Sequence, residues 1–174
     1  VSSCLDDDCL RPTSLDFGKI GALERLRALQ LGSFEGLQPS MFSFSGGLSS
    51  LGRLKNLIAL DMTSMEFWFA DELSFLTECR QLEALAIGRC ADWGNDDFEW
   101  LGTLRNLLKL RLKCGGDAVG ANFSRELSKL TGLQHLELDC WNCGTALIPV
   151  VAKLKHLRAL HVYPWDIHDL DQAG

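Results

Sequence analysis

The chain has 174 residues, 47% of them hydrophobic and 23% charged, a composition that supports one domain with a sizeable core and excludes a disordered chain. Its net charge of -6 and pI near 5.2 argue against general binding to nucleic acid or to an anionic membrane, because neither polyanion attracts an acidic surface lacking a separate basic patch. Seven cysteines, an odd number spread along the chain, leave at least one unpaired in a monomer and favour an intracellular compartment, cytoplasmic or nuclear, over a disulfide framework.

The chain opens Val1-Ser2-Ser3-Cys4, without an initiator Met, and continues into Asp6-Asp7-Asp8. A basic region followed by an apolar core is missing, so no signal peptide is visible, and the chain reads as a processed piece of a longer protein. Residues 1–17 are expected to form an N-terminal cap, with Leu15 and Phe17 on a capping strand. Residues 18–166 carry a repeat. The pattern Leu-x-x-Leu-x-Leu, with conservative swaps, occurs six times: Leu26/Leu29/Leu31, Leu57/Leu60/Met62, Leu82/Leu85/Ile87, Leu107/Leu110/Leu112, Leu133/Leu136/Leu138 and Leu157/Leu160/Val162. Successive offsets are 31, 25, 25, 26 and 24 residues. Three residues upstream of each block stand Leu23, Leu54, Cys79, Leu104, Leu130 and Leu154, and six upstream stand Ile20, Leu51, Leu76, Leu101, Leu127 and Val151.

An upstream apolar spacing of three is helical and the downstream spacing of two is that of a strand, so the period switches once per unit. Each unit therefore predicts a short parallel strand, a loop and a helix. Helices are expected over Asp71 to Cys79, Phe98 to Leu104, Ser124 to Leu130 and Leu147 to Leu154. Asp71-Glu72 and Asp96-Asp97 supply carboxylates where two of these begin, able to accept orphan N–H groups and to complement the helix dipole. The long first interval holds a Ser/Gly/Phe insertion from Pro39 to Ser50, whose Phe42 and Phe44 either pack over the core or face a partner. The apolar stretch Ala146 to Ala152 is broken by Pro149 and falls far short of the ~20 residues of a membrane helix. Residues 167–174 form a C-terminal tail.

Across residues 18–166 this pattern resembles the leucine-rich-repeat family. The resemblance implies an α/β solenoid, a horseshoe with a concave parallel sheet and convex helices, because no unit buries its apolar face alone and helices are wider than strands. The ninth position of a unit, commonly Asn or Cys in that family, is here Phe34, Met65, Cys90, Gly115, Trp141 and Trp165. Segments such as Leu82-Glu83-Ala84-Leu85-Ala86-Ile87-Gly88-Arg89-Cys90 look like the irregular repeats of plant intracellular immune receptors and like the cysteine-containing repeats of F-box substrate receptors.

With the leucines inward, the alternate side chains of each strand point out. The outward sets read Ala28, Gln30, Gly32; Ala59, Asp61, Thr63; Ala84, Ala86, Gly88; Lys109, Arg111, Lys113; His135, Glu137, Asp139; and Ala159, His161, Tyr163. The third is small and the fourth wholly basic. Beside Glu137 and Asp139 the basic set reads either as cross-strand charge pairing or as a charged binding spot on a smooth floor, with Arg111, His161 and Tyr163 as anchors. The candidate partner-binding residues are thus Lys109, Arg111, Lys113, His135, Glu137, Asp139, His161 and Tyr163. A row of three cations implies an acidic determinant on a protein partner.

Chemistry is weakly signalled. Cys140-Trp141-Asn142-Cys143 is half a zinc site or a redox pair, and Cys90 and Cys114 stand at nearby positions of neighbouring units, so that four thiols could converge. The alternatives are small buried loop residues and an adventitious disulfide. The acidic tail Asp166-Ile167-His168-Asp169-Leu170-Asp171 reads as a solvated end, and Asn122-Phe123-Ser124 fits a glycosylation sequon. No nucleophile, phosphate-binding loop or HExxH motif accompanies His135, Glu137 and His161, so no enzyme activity, cofactor or metal is expected. A protein-recognition domain is the leading expectation. The second is a scaffold subunit that buries Trp68, Trp93, Trp141 or Trp165, expected to be exposed, against its neighbours.

Overall fold

The computed structural model describes residues 16–32, 47–67, 70–90, 93–114, 120–140 and 144–164. Six strands, β1 (Ala28–Gln30), β2 (Ala59–Phe67), β3 (Ala84–Cys90), β4 (Lys109–Cys114), β5 (His135–Cys140) and β6 (Ala159–Pro164), form one parallel sheet in sequence order. Each strand start is tied to the one before it by a carbonyl that accepts two N–H groups. Arg27 serves Ile58 and Ala59, Ile58 serves Glu83 and Ala84, Glu83 serves Leu108 and Lys109, Leu108 serves Gln134 and His135, and Gln134 serves Arg158 and Ala159, all at 2.8–3.1 Å.

The inward leucines stack in register. Leu29, Leu60, Leu85, Leu110, Leu136 and Leu160 make one ladder across the sheet, and Leu57, Leu82, Leu107 and Leu133 make another, fully buried. Each fully buried leucine of these ladders contributes roughly 1.5–3 kcal/mol relative to exposure, so the ladders account for why these units cohere only as a stack. Asn56 and Asn106 add polar ties between units, donating from Nδ2 to the Glu24 and Arg80 carbonyls at 2.9 and 3.0 Å.

The convex side differs from expectation. Helix α2 (Ala121–Leu127) and helix α3 (Gly144–Val151) are α-helical, but Leu48–Arg53, Ala70–Glu78, Asn95–Phe98 and Leu101–Thr103 are 3-10 turns. A 3-10 turn rises ~2.0 Å per residue against ~1.5 Å for an α-helix, so it covers a given length with fewer residues. Unit length does not select it, since the 24-residue interval holds α3 and the 31-residue interval holds the 3-10 turn Leu48–Arg53. Acidic starts occur as expected, with Asp71 and Glu72 in one first turn and the Asp97 carboxylate accepting the Gly94 N–H at 2.7 Å in another.

Phe17 is a correction. It opens helix α1 (Phe17–Gly21) rather than a strand, because the Asp16 carboxylate accepts the Lys19 N–H at 3.1 Å as an N-cap, which turns the ring fully into the core. Trp93 is a second correction, being only 2% exposed. It packs edge-on to Phe98 at 5.3 Å, and Phe98 in turn meets Phe123 at 4.9 Å, so large rings fill the volume that the slender 3-10 turns leave. Leu15, Phe42, Phe44, Trp68, Trp141 and Trp165 lie outside the described residues.

Candidate functional site: the concave groove

Parallel pairing lays the outward side chains into lateral rows. The first runs Ala28, Ala59, Ala84, Lys109, His135, Ala159, and the second runs Gln30, Asp61, Ala86, Arg111, Glu137, His161. Both rows line a groove of about 600 Å³. All eight predicted site residues lie on this sheet face, but only Lys109, Arg111, His135, Glu137 and His161 line the groove itself. Lys113, Asp139 and Tyr163 form a third row at the far end of the strands, where Tyr163 is 52% exposed.

The third row departs from the sequence reading at Gly88. Alternation placed this residue outward, but the pairing slips between Ile87 and Arg89 and between Met62 and Glu66, so Arg89 stands opposite Lys113 and Gly88 is buried. A Cβ on Gly88 would run into the Met65 carbonyl oxygen, backbone that cannot yield. The three residues Thr63 to Met65 bulge on β2 against this one glycine, which reverses the parity of everything downstream. Arg89, exposed beside Lys113, is a basic residue of the face that strict alternation concealed; the Gly inside a strand was the available signal.

Charge on the face is partly neutralised. Arg111 pairs with Glu137 at 3.1 Å, with their side chains 45% and 28% exposed. That exposed pair contributes ~0–1 kcal/mol. Lys113 is in register with Asp139, yet among the described residues Lys109 and Lys113 form no ion pair. Asp61 is committed locally, its Oδ1 accepting from the Thr63 N–H and hydroxyl at 2.9 and 2.7 Å and its Oδ2 from Gln30 at 3.3 Å.

The thiols converge only in part. Cys90, Cys114 and Cys140 stand in register on β3, β4 and β5, while Cys143 lies outside the described residues. Cys90 and Cys114 are free and buried, and Cys140 is disulfide-bonded. Burial, with Asp139 nearby, pushes the Cys114 thiol up to about 12, and burial pushes Cys79 up to about 11. Cys90 is raised further, again by burial first. Such thiols are poor nucleophiles and poor ligands, and among the described residues no group of three His, Cys, Asp or Glu could hold a metal ion. Ser124 of the sequon is buried inside α2, next to the fully buried Phe123. The acidic tail lies outside the described residues.

No family model and no curated protein matches the sequence. Solved structures do. The chain is similar to internalin C2 of Listeria monocytogenes, with a TM-score of 0.56 and 19% identity over 88% of this chain and 57% of that one. A leucine-rich-repeat protein of Leptospira interrogans matches with a TM-score of 0.57 and 22% identity over 83% and 33% of the two chains. A second Listeria monocytogenes internalin gives 0.55 and 17%, covering 83% and 37%. This chain therefore spans between about a third and somewhat over half the length of these neighbours. The fold is the leucine-rich-repeat solenoid: six in-register parallel strands, one inward leucine ladder after another, and short helices returning on the opposite side.

Proposed function

We propose that the chain is a protein-recognition domain that binds a partner on its concave face, as part of a longer protein. The observation that carries this is the groove of about 600 Å³ whose floor joins exposed or half-buried alanines to Lys109, a cation without an ion pair among the described residues. Small side chains admit a partner's bulk, and Lys109 and Lys113 favour an acidic determinant on it. Arg111, paired with Glu137, orients rather than attracts. The net charge of -6 has the same sign as nucleic acid and anionic membranes, which makes both disfavoured partners for the chain as a whole. Among the described residues no helix is long and apolar enough to cross a membrane. An intracellular location rests on the odd cysteine count and the free Cys79, Cys90 and Cys114, and the Cys140 disulfide weighs against it.

The scaffold reading loses one of the four tryptophans it could use, since Trp93 is in the core, while Trp68, Trp141 and Trp165 lie outside the described residues. Among the described residues of the face no nucleophile stands paired with a base, and the groove and its charges support a binding role in preference to a catalytic one.

The test compares wild type with Lys109→Glu/Arg111→Glu/Lys113→Glu in chemical crosslinking of the full-length protein within its native extract. Loss of one specific crosslinked partner, with circular dichroism unchanged, is the expected result. Crosslinks that persist and map to the convex turns would refute concave-face binding.

A further inference from the structure

We propose that the groove takes an extended partner segment in which a large apolar side chain stands two residues from an aspartate or glutamate. This rests on the concave-face reading above and adds the chemistry of the occupant. The three lateral rows are not equivalent. The second carries Asp61 and Glu137 and the third carries Asp139, so a partner carboxylate laid along either meets a like charge. The first row has no acid on any strand. Ala28, Ala59 and Ala84 lead to Lys109 and His135, both exposed. Three methyl groups leave room for a partner's apolar side chain, and the next strand offers a cation that no described residue neutralises, followed by an imidazole able to donate an N–H.

The spacing selects the sequence of the occupant. Neighbouring strands lie ~4.8 Å apart, so the midpoint between Ala59 and Ala84 is ~7 Å from Lys109, measured along the row. Side chains i and i+2 on one face of an extended segment are ~6.7 Å apart. On a helix the same-face neighbours i and i+3 or i+4 are closer, at ~5–6 Å. An extended segment crossing the strands thus seats its apolar residue on the alanines and its carboxylate over Lys109, with His135 on the strand beyond.

A random peptide library displayed on phage and selected on the immobilised full chain tests this. The recovered pool is expected to be enriched in a large apolar residue two positions from Asp or Glu. A dye-labelled recovered peptide should bind Lys109→Glu and Ala84→Trp at least about tenfold more weakly than wild type, and Lys155→Glu, an exposed change on the last turn, as well as wild type. Replacing the peptide's acid by lysine should restore binding to Lys109→Glu. Circular dichroism checks each fold, with Ala59→Trp as the substitute if Ala84→Trp misfolds. A pool without the acid, or with it at a spacing of three or four, overturns the inference. Should Ala84→Trp abolish binding while Lys109→Glu leaves it intact, the inference fails and concave-face binding stands; should neither matter, both fail. A selection that returns no binder overturns the inference, as does self-association of the chain through this face, read by sedimentation and dispersed by Ala84→Trp.

Discussion

Single side chains divide into those that serve the partner face and those that hold the stack. Glu126 belongs to the second kind. It is 4% exposed on α2, yet it accepts from Lys129 at 2.6 Å and from Arg125 at 3.1 Å. Burial alone would raise its pKa, but the hydrogen bonds from Lys129 and Arg125 outweigh that and hold it below the ordinary value of 4.5. Because the folded-state value is the lower one, the stabilisation is present above the unfolded-state pKa and is lost as pH falls through the folded-state pKa. The Lys129 and Arg125 side chains are 40% and 58% exposed, so solvent screens the pair and the contribution is about 1 kcal/mol. Glu126→Gln should therefore be less stable than wild type by about that amount at neutral pH, and the two should converge in acid. Urea titrations across pH measure this, and a gap that stays constant with pH would show that the charge is not responsible.

At the scale of the element, the bulge shared by β2 and β3 decides which side chains reach the face. Alternation continues to Ile87, stops at the buried Gly88, and resumes with Arg89 outward. Gly88→Ala must push its methyl into the Met65 carbonyl, so the strand pair has to shift at a cost of about 1–3 kcal/mol. Gly132→Ala, where an added Cβ meets nothing, should stay within about 0.5 kcal/mol of wild type. Equal effects on the urea midpoint would mean that the bulge is not held by this contact. The helices belong to the same scale. Upstream apolar spacing of three marks buried positions for both helix types, Leu23 of the first unit at 54% exposure being an exception, since 3-10 and α turns share near-threefold repeats and spacing alone does not tell them apart.

For the whole molecule, stability is a property of neighbours. Leu110 lies mid-stack and is 2% exposed, whereas Leu160 holds the same rung on β6 and is 43% exposed. Leu110→Ala should cost about 2–5 kcal/mol by opening a cavity between two strands. Leu160→Ala, already half in water, should cost less than about 1.5 kcal/mol. Chemical unfolding of the two variants discriminates, and comparable losses would show that the last strand is covered as fully as the middle ones. The groove is likewise a property of the stack: its alanines come from β1, β2, β3 and β6 and its cations from β4.

The sequence by itself determined the repeat, the parallel strands, the inward leucines and the first two positions of every outward set, because a fold built from one recurring unit writes its contacts as a period. All eight predicted site residues reached one face for the same reason. Only the tertiary structure decided what breaks the period. The slip at Gly88 that presents Arg89 and the burial of Trp93 against Phe98, which in turn meets Phe123, depend on contacts between units that no single unit encodes, whereas the Asp16 cap that turns Phe17 inward is a local contact three residues long. Neutralisation was the remaining tertiary decision: pairing Arg111 with Glu137 while Lys109 and Lys113 form no ion pair among the described residues requires side-chain reach as well as register, and register is all that spacing along a chain conveys.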